Sequence, residues 1–174
     1  MMRNKITEKQ KPKVSLSKQL LLYLLDTADY LARANERIYL LSPVYSSYPK
    51  RERQHFLEYQ RLRSLERRKL VKLKRIGGEL FYRISDDGVR EGLKTRVISC
   101  NKRLPQEETC LIAFDIPEDI RNVRLALRSF LKKAGFRKVQ QSLWESDMDV
   151  IADMEKLFKL LGIGKYTAVY KTKA

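Results

Sequence analysis

The sequence is poor in the residues that form zinc sites and disulfide frameworks. Its 174 residues include two cysteines, Cys100 and Cys110, and a single histidine, His55. Neither cysteine has a metal-ligand partner close to it in the sequence, so we do not expect a zinc site. A chain with so few cysteines needs no oxidising compartment, and we expect a reduced, cytoplasmic protein.

Long apolar runs are also missing. No run reaches the roughly 18 residues that a membrane-spanning helix needs. Residues 1–13 are polar and basic and contain no apolar core, so they do not resemble a secretory signal. We therefore expect neither membrane insertion nor secretion.

Acidic residues are scarce beside basic ones, above all in the first half. Lys and Arg number 37 against 21 Asp and Glu, a formal net charge of +16. Residues 1–104 contain 25 basic and 11 acidic residues, whereas residues 105–174 contain 12 and 10. This asymmetry predicts that the first half meets a polyanion. Nucleic acid is the first candidate and an anionic membrane surface the second.

The first half is predicted to contain a disordered basic tail at residues 1–14, followed by three helices. Ser15 or Ser17 can cap the first helix, whose apolar side consists of Leu20, Leu21, Leu24 and Leu25. A second helix is expected from about residue 27 to residue 37. A third begins near Pro49, because proline suits a first helical turn. Its apolar side consists of Phe56, Tyr59, Leu62 and Leu65.

A hairpin and a closing helix are predicted next. Residues 70–76 alternate imperfectly between apolar and basic, and residues 79–84 form a second short apolar run. Gly77 and Gly78 between them supply the positive φ angles of a tight turn. Ser85 can cap a last helix across residues 86–97, whose first turn holds acidic residues where the helix dipole favours them.

Three helices, a hairpin and a closing helix follow one another in the order of a winged helix-turn-helix domain, which we place at residues 15–98. The stretch 62–70, the hairpin and the segment 85–88 resemble the end of many bacterial winged-helix repressor domains. In such a domain one helix enters the major groove, and a positive hairpin holds neighbouring phosphates. Basic and amide side chains read the base edges there.

We predict two sets of DNA contacts within this domain. The N-terminal end of the third helix supplies the base-reading candidates Lys50, Arg51, Gln54 and His55. The phosphate-binding candidates are Arg61, Lys72, Lys74, Arg75 and Arg83. The alternative is that the arginine-rich helix is only a solvated face, as most runs of charge are.

The second half is predicted to be a separate domain at residues 109–174, after a linker at residues 99–108 that lacks periodicity. Its elements follow in the order strand, helix, strand, strand, helix, strand, which is that of a ferredoxin-like sheet with both helices on one side. The first strand ends at Asp115 and Pro117, since proline cannot continue a ladder. The helix after it has Val123, Leu125, Leu127, Phe130 and Leu131 spaced for one apolar side. The fold class is therefore α+β, and so small a core favours further burial in a homodimer.

This second half resembles the central domain of the PaaX family of transcriptional repressors. The residues that carry the resemblance are the segments 114–118 and 141–144 with Arg121, Arg124, Leu127, Arg128, Leu131, Gly135 and Phe136. The same residues resemble the small CRISPR-associated endonuclease Cas2. PaaX proteins place this fold behind a winged helix, as this chain does. The chain stops after the Cas2-like domain, so no acyl-CoA effector is carried over and the small-molecule effector stays unassigned.

The two resemblances imply different functions. The PaaX resemblance implies a sequence-specific, double-stranded DNA-binding transcriptional regulator, a repressor acting as a homodimer without a cofactor or catalytic residue. The Cas2 resemblance implies a metal-dependent endonuclease or adaptation protein, in which Asp115 of each subunit holds Mg²⁺ or Mn²⁺. Two carboxylates brought together repel unless a cation or proton lies between them. We predict the regulator and keep the nuclease as the alternative.

Overall fold

The computed structural model describes residues 14–32, 52–76 and 79–173, and in these ranges it contains five α-helices and two antiparallel sheets. The mixed α/β class agrees with the prediction. Nearly all of the predicted tail at 1–14, the second predicted helix beyond residue 32 and the start of the third lie outside these ranges. Lys50 and Arg51 lie outside them as well.

Helix α1, Leu16–Ala32, is longer than predicted. We expected a second helix to begin near residue 27, but α1 continues through Asp26 and Thr27 to Ala32, so that boundary is wrong. Asp and Thr lower helix propensity only modestly, and no glycine or proline interrupts the backbone ladder here. At its start the Ser15 hydroxyl accepts from the Lys18 N–H at 3.4 Å, which confirms Ser15 as a cap.

Helix α2, Glu52–Arg67, and the hairpin of β1, Val71–Ile76, and β2, Glu79–Ile84, pack on α1. The shared core consists of Leu21, Leu24, Leu62, Leu65, Leu70, Val71 and Tyr82. The hairpin pairs from Val71 opposite Ile84 to Ile76 opposite Glu79. Leu73 and Tyr82, also opposite each other, therefore lie on the packed side with Val71 and Ile84.

Helix α3, Asp86–Ser99, closes this first half and is fixed to the base of the hairpin. Ser85 caps it as predicted, since its Oγ accepts from the Gly88 N–H at 3.0 Å. The Ser85 hydroxyl in turn donates to the Lys69 carbonyl at 2.6 Å, and the Ser85 N–H donates to the Leu70 carbonyl at 3.0 Å. A cap that also binds the neighbouring turn sets the angle at which α3 leaves the hairpin.

The second half is a four-stranded antiparallel sheet in the order β4-β5-β3-β6. Its strands are β3 (Glu108–Phe114), β4 (Arg137–Gln140), β5 (Leu143–Ser146) and β6 (Thr167–Lys173). Helix α4, Arg121–Lys133, follows β3, and helix α5, Ile151–Leu160, follows β5. The strand and helix order is the one predicted from the sequence, and each crossover joins two strands with one strand between them.

The core of this half lies between the helices and one side of the sheet. Cys110, Ile112 and Phe114 of β3 face it, together with Trp144, Leu131 and Met154. The intervening residues Leu111 and Ala113 point to the other side, where they pair with Tyr170 and Ala168 of β6. That side, the open sheet face, has an apolar middle formed by Leu111, Ala113, Leu143, Ala168 and Tyr170, and Tyr170 is 52% exposed on it.

Helix α4 differs from the prediction in its buried side. Leu127 and Leu131 are buried, whereas Val123 and Leu125 are 36% and 49% exposed. At 3.6 residues per turn, Leu125 lies far around the helix from Leu127, so the five residues cannot share one side. The predicted grouping is wrong for these two residues. Gly135, with φ of +88°, ends the segment in the left-handed conformation that glycine tolerates.

The segment 100–107 between the two halves is held by backbone hydrogen bonds. The Leu104 N–H donates to the Asp147 carbonyl at 2.8 Å, and the Asp149 N–H donates to the Lys102 carbonyl at 2.9 Å. Side chains from α1, α3 and α5 also meet, because Leu25, Leu93 and Leu157 form one buried cluster. The two halves therefore contact each other directly. None of the helices in the described ranges has the length and apolarity to cross a membrane.

Candidate nucleic-acid interface

The outward side of α2 presents a line of polar and basic side chains. Gln60, Arg63 and Arg67 follow one another at helical spacing, opposite the buried Leu62 and Leu65, and all three are exposed. Residues three and four apart are neighbours on a helix surface. Sequence reasoning did not single out these three residues, although their spacing against the leucines was available as a signal. Of the predicted contacts, Arg61 is half-buried beside this line.

Arg63 is held in place by its neighbours on α2. Its Nε donates to the Tyr59 hydroxyl at 2.8 Å, and its Nη1 donates to the Glu66 carboxylate at 2.7 Å. The hydrogen bond to Glu66, followed by that to Tyr59, raises the pKa of Arg63 above its ordinary value. Arg63 therefore stays cationic, and its position is fixed by local contacts, so that Arg67 is the less constrained cation of the line.

The hairpin carries a pair of cations side by side. Lys72 of β1 lies directly opposite Arg83 of β2, on the side that faces away from the core, and both are exposed. Lys74, two residues along the same side, is exposed as well. Like charges directly opposite in an antiparallel pair repel each other. An anion placed between them would remove that repulsion, so this side of the hairpin suits a phosphate.

Three of the remaining predicted residues are only partly described. Gln54 and His55 belong to the first turn of α2, and the backbone of Arg75 pairs with Leu80 in the hairpin. Their side chains lie outside the described part. The structure therefore brings together Lys72, Lys74 and Arg83 on one side of the hairpin, while the base-reading set stays a prediction.

Asp115 directly follows the end of β3, as expected, and β3 is an inner strand of the sheet. The Asp115 N–H donates to the Tyr166 carbonyl at 2.8 Å, and the residue is exposed. It borders an open cavity of about 570 Å³ whose polar lining includes Gln140, Gln141, Ser142 and Lys165. Among the residues that the structure describes, no three His, Cys, Asp or Glu side chains gather where they could hold a metal ion. Within one copy of the chain, Asp115 is thus a single carboxylate beside amide, hydroxyl and ammonium groups.

The buried cysteine, Cys110, is not a candidate for a reactive or metal-binding site. Neither cysteine forms a disulfide, and burial raises the pKa of the Cys110 thiol to about 12. A thiol with so high a pKa is protonated at neutral pH and is a poor nucleophile or ligand. Cys110 is therefore a small apolar residue of the core.

Comparison with known proteins bears on the second half of the chain. Residues 107–174 match a family model described as the PaaX protein central Cas2-like domain. This match confirms the predicted resemblance and covers the whole four-stranded sheet with its two helices. Neither curated proteins nor solved structures give a significant match to the chain.

Proposed function

We propose that this chain, with its PaaX-like second half, is a sequence-specific regulator of transcription that binds double-stranded DNA. The PaaX-like domain suggests a family of transcriptional regulators. DNA binding itself is assigned to the first half, where α1, α2, the hairpin and α3 act as a winged helix. In this proposal α2 enters the major groove and the hairpin is the wing.

The observation that carries the proposal is the cation pair of the hairpin. Lys72 and Arg83 lie opposite each other, with Lys74 beside them, on a hairpin whose other side is buried against α2. Positive charge concentrated beside an arginine-rich helix matches the phosphate backbone that flanks a groove. Lys72, Lys74 and Arg83 hold phosphates, and the start of α2 with Gln54 reads base edges.

A homodimer would present two such helices to a palindromic site, with half-sites about one helical turn or a multiple of it apart. The open sheet face supports this part of the proposal. It is apolar at Leu111, Leu143 and Tyr170, and its charged residues Arg137 and Glu145 already pair with each other. A self-complementary apolar face is what a two-fold interface needs. Occlusion of a promoter is then the simplest mode of repression.

The experiment that tests the function is a binding measurement with purified protein. DNA from upstream of its own gene and random DNA of equal length are compared, with and without Mg²⁺ or Mn²⁺. We expect a preference for the upstream fragment that does not depend on metal and leaves the DNA uncut. Unselective binding with metal-dependent cleavage that disappears in Asp115→Ala would instead support a nuclease.

A charge-removing variant tests the wing. In Lys72→Ala/Arg83→Ala we expect weaker binding to upstream and random DNA alike, with the slope of log affinity against log salt reduced by roughly two. Gln54→Ala is expected to lose about 1–3 kcal/mol of discrimination between the two fragments. Lys159→Ala/Lys173→Ala removes the same charge from exposed positions elsewhere and serves as the matched control. A wing variant that behaves like this control would contradict the assignment.

A further inference from the structure

The charge of the second half is strongly segregated along the chain. Although this half has nearly balanced charge, seven of its twelve basic residues fall between residues 121 and 138, and no acidic residue occurs between 121 and 144. Averaging over the whole half hides this local excess. The excess coincides with α4 and the edge strand β4.

Helix geometry gathers four of these cations into one line. Arg121, Arg124, Arg128 and Lys132 are separated by three, four and four residues on α4, so that they share one side of the helix. We call them the arginine stripe. The stripe extends for roughly 16 Å at 1.5 Å per residue. It borders the buried side of α4 formed by Leu127 and Leu131.

Two of the guanidinium groups are held in place by the domain. The Arg128 Cζ lies 5.9 Å from the centre of the Phe114 ring, within the range of a cation–π contact. The Arg124 Nη1 donates to the Ile116 carbonyl at 3.4 Å. Groups already ordered lose less conformational entropy when they bind a ligand.

In the part of the chain that the structure describes, a single acid pairs with the stripe and leaves most of its charge uncompensated. Glu118 forms an ion pair with Arg124, and its Oε1 lies 3.8 Å from the Arg121 Nε. The hydrogen bond from Arg124 is the main reason why the pKa of Glu118 is lowered. Within the described ranges, Arg128 and Lys132 form no ion pair with any carboxylate. Four cations and one acid remain as a strongly positive ridge.

We propose that the arginine stripe is a second binding site, which takes the phosphate backbone of duplex DNA. It goes beyond the winged helix proposed above and does not depend on it, since it lies on a different element of the other half. Guanidinium groups match phosphate geometry and remain charged at any physiological pH. A single file of cations on a helix can follow one strand of the backbone, and it carries no base-reading amides.

The arrangement of α4 argues against an anionic membrane as the ligand. An interfacial helix inserts an apolar side into the lipid beneath a basic one. In α4 that apolar side, Leu127 and Leu131, is covered by the core of the domain. Val123 and Leu125 are exposed on α4 but point to different sides of it and form no apolar side. What α4 offers to a partner is therefore mainly its charge, which fits a polyphosphate backbone better than a lipid surface.

The test uses Arg121→Ala/Lys132→Ala, because both side chains are exposed and neither belongs to the core. With random-sequence duplex DNA as the probe, we expect the dissociation constant to rise several-fold and the salt slope to fall by roughly two. The upstream fragment should lose the same factor, so that the preference between fragments is unchanged. Lys159→Ala/Lys173→Ala is again the charge-matched control.

The outcomes separate this site from the winged helix. If the stripe variant weakens binding while Lys72→Ala/Arg83→Ala does not, the stripe stands and the proposed wing fails. If the stripe variant binds like its control at every salt concentration, the stripe is not a DNA site. Vesicles containing phosphatidylserine form a second probe, and loss of vesicle binding with unchanged DNA binding would also overturn the inference.

Discussion

Gly88 is the residue on which the joint between α3 and the hairpin depends. A Cβ at this position would lie 2.0 Å from the Leu70 carbonyl oxygen and 2.7 Å from Ile84 Cγ2. The carbonyl is backbone and also accepts from the Ser85 N–H, so it cannot move without disturbing the cap. We therefore predict that Gly88→Ala lowers the free energy of unfolding by about 3 kcal/mol.

Gly92, one turn later in α3, provides the matched control for that substitution. There an added Cβ would meet only Leu25 Cδ2, at 2.9 Å, the end of a flexible side chain. Alanine is also more favourable than glycine inside a helix, by up to about 1 kcal/mol. Gly92→Ala should therefore be far less costly in urea denaturation, and equal losses for the two variants would show that the Leu70 contact is not what requires glycine.

Tyr82 gives the fold a dependence on alkaline pH. Burial, with a smaller effect of Tyr23, raises the pKa of Tyr82 to about 12. Because the unfolded phenol ionises near pH 10, the folded state retains a proton that the unfolded state loses. The contribution of Tyr82 is complete below about pH 10 and is lost as the pH rises towards 12. In Tyr82→Phe this part of the alkaline loss should disappear, which is an effect of about 1–3 kcal/mol on the free energy of unfolding measured by denaturation.

A comparison at neutral pH completes the Tyr82 measurement. The hydroxyl is buried and has no hydrogen-bond partner among the described residues. Removing it leaves no new unpaired group, so Tyr82→Phe should be as stable as the parent or slightly more stable. A clear loss of stability at neutral pH would mean that the hydroxyl makes a bond in the folded protein.

At the scale of elements, α3 is the connection between the two halves. Arg96 of α3 donates to Asp26 of α1 at 2.6 Å and to Asp153 of α5 at 3.0 Å. We predict that Arg96→Ala costs about 1–2 kcal/mol, since charged hydrogen bonds at a partly exposed site are lost together. Thermal melting followed by far-UV circular dichroism measures it.

Arg90 is the control for Arg96. Among the described residues it pairs with Asp87 alone, three residues before it on the same helix, where such pairs contribute about 0.3–0.5 kcal/mol. A cycle with Asp26→Asn and Asp153→Asn then divides the effect of Arg96 between the two halves. If Arg90→Ala and Arg96→Ala lower the melting temperature equally, the connection through Arg96 is not a significant one.

Secondary structure was predictable where the local signals were strong. The order of β3 to β6 with their helices followed from short apolar runs bounded by proline and glycine, and the Ser85 cap followed from its acidic first turn. The start of a second helix near residue 27 was expected because residues 26–29 interrupt the apolar pattern of α1, and intrinsic propensity yields to packing. Leu125 was grouped with Leu127 although it lies far around the helix from it, whereas Val123 shares the angle of Leu127 but lies in the exposed first turn.

The candidate site was predictable in its charge but less so in its geometry. Lys72, Lys74 and Arg83 were identified because they alternate with apolar residues in a two-stranded pattern. Which of them lie opposite each other depends on the hairpin register, which the turn length sets. The arginine stripe was missed, because net charge summed over residues 105–174 cancels a local excess against acids elsewhere. A window of one helix length would have found it.

At the scale of the whole molecule, the open sheet face predicts the oligomeric state. Tyr170→Asp places a charge on that face without disturbing the core, since Tyr170 is 52% exposed. We expect the dimer dissociation constant to rise by roughly thirtyfold, which corresponds to about 2 kcal/mol at a central aromatic residue. Sedimentation velocity over a concentration series measures it.

Leu160→Asp is the control for the dimer. Leu160 is also an exposed apolar residue, but it belongs to α5, on the helical side of the sheet. The substitution Leu160→Asp should leave the dimer dissociation constant unchanged. If both variants sediment like the parent, or if the parent is a monomer at every concentration, the chain does not pair through the sheet.

The contacts of α3 also limit how this protein could be recombined. Leu93 packs with Leu25 on one side and Leu157 on the other, and Arg96 bonds to both halves in the same way. A chimaera that joins the first half to a foreign sheet domain at residues 100–107 would preserve every turn and strand. It would nevertheless lose the matching leucine and aspartate on α5. Modular exchange of the two halves therefore requires that the side of α5 that packs against α3 be transplanted along with the sheet.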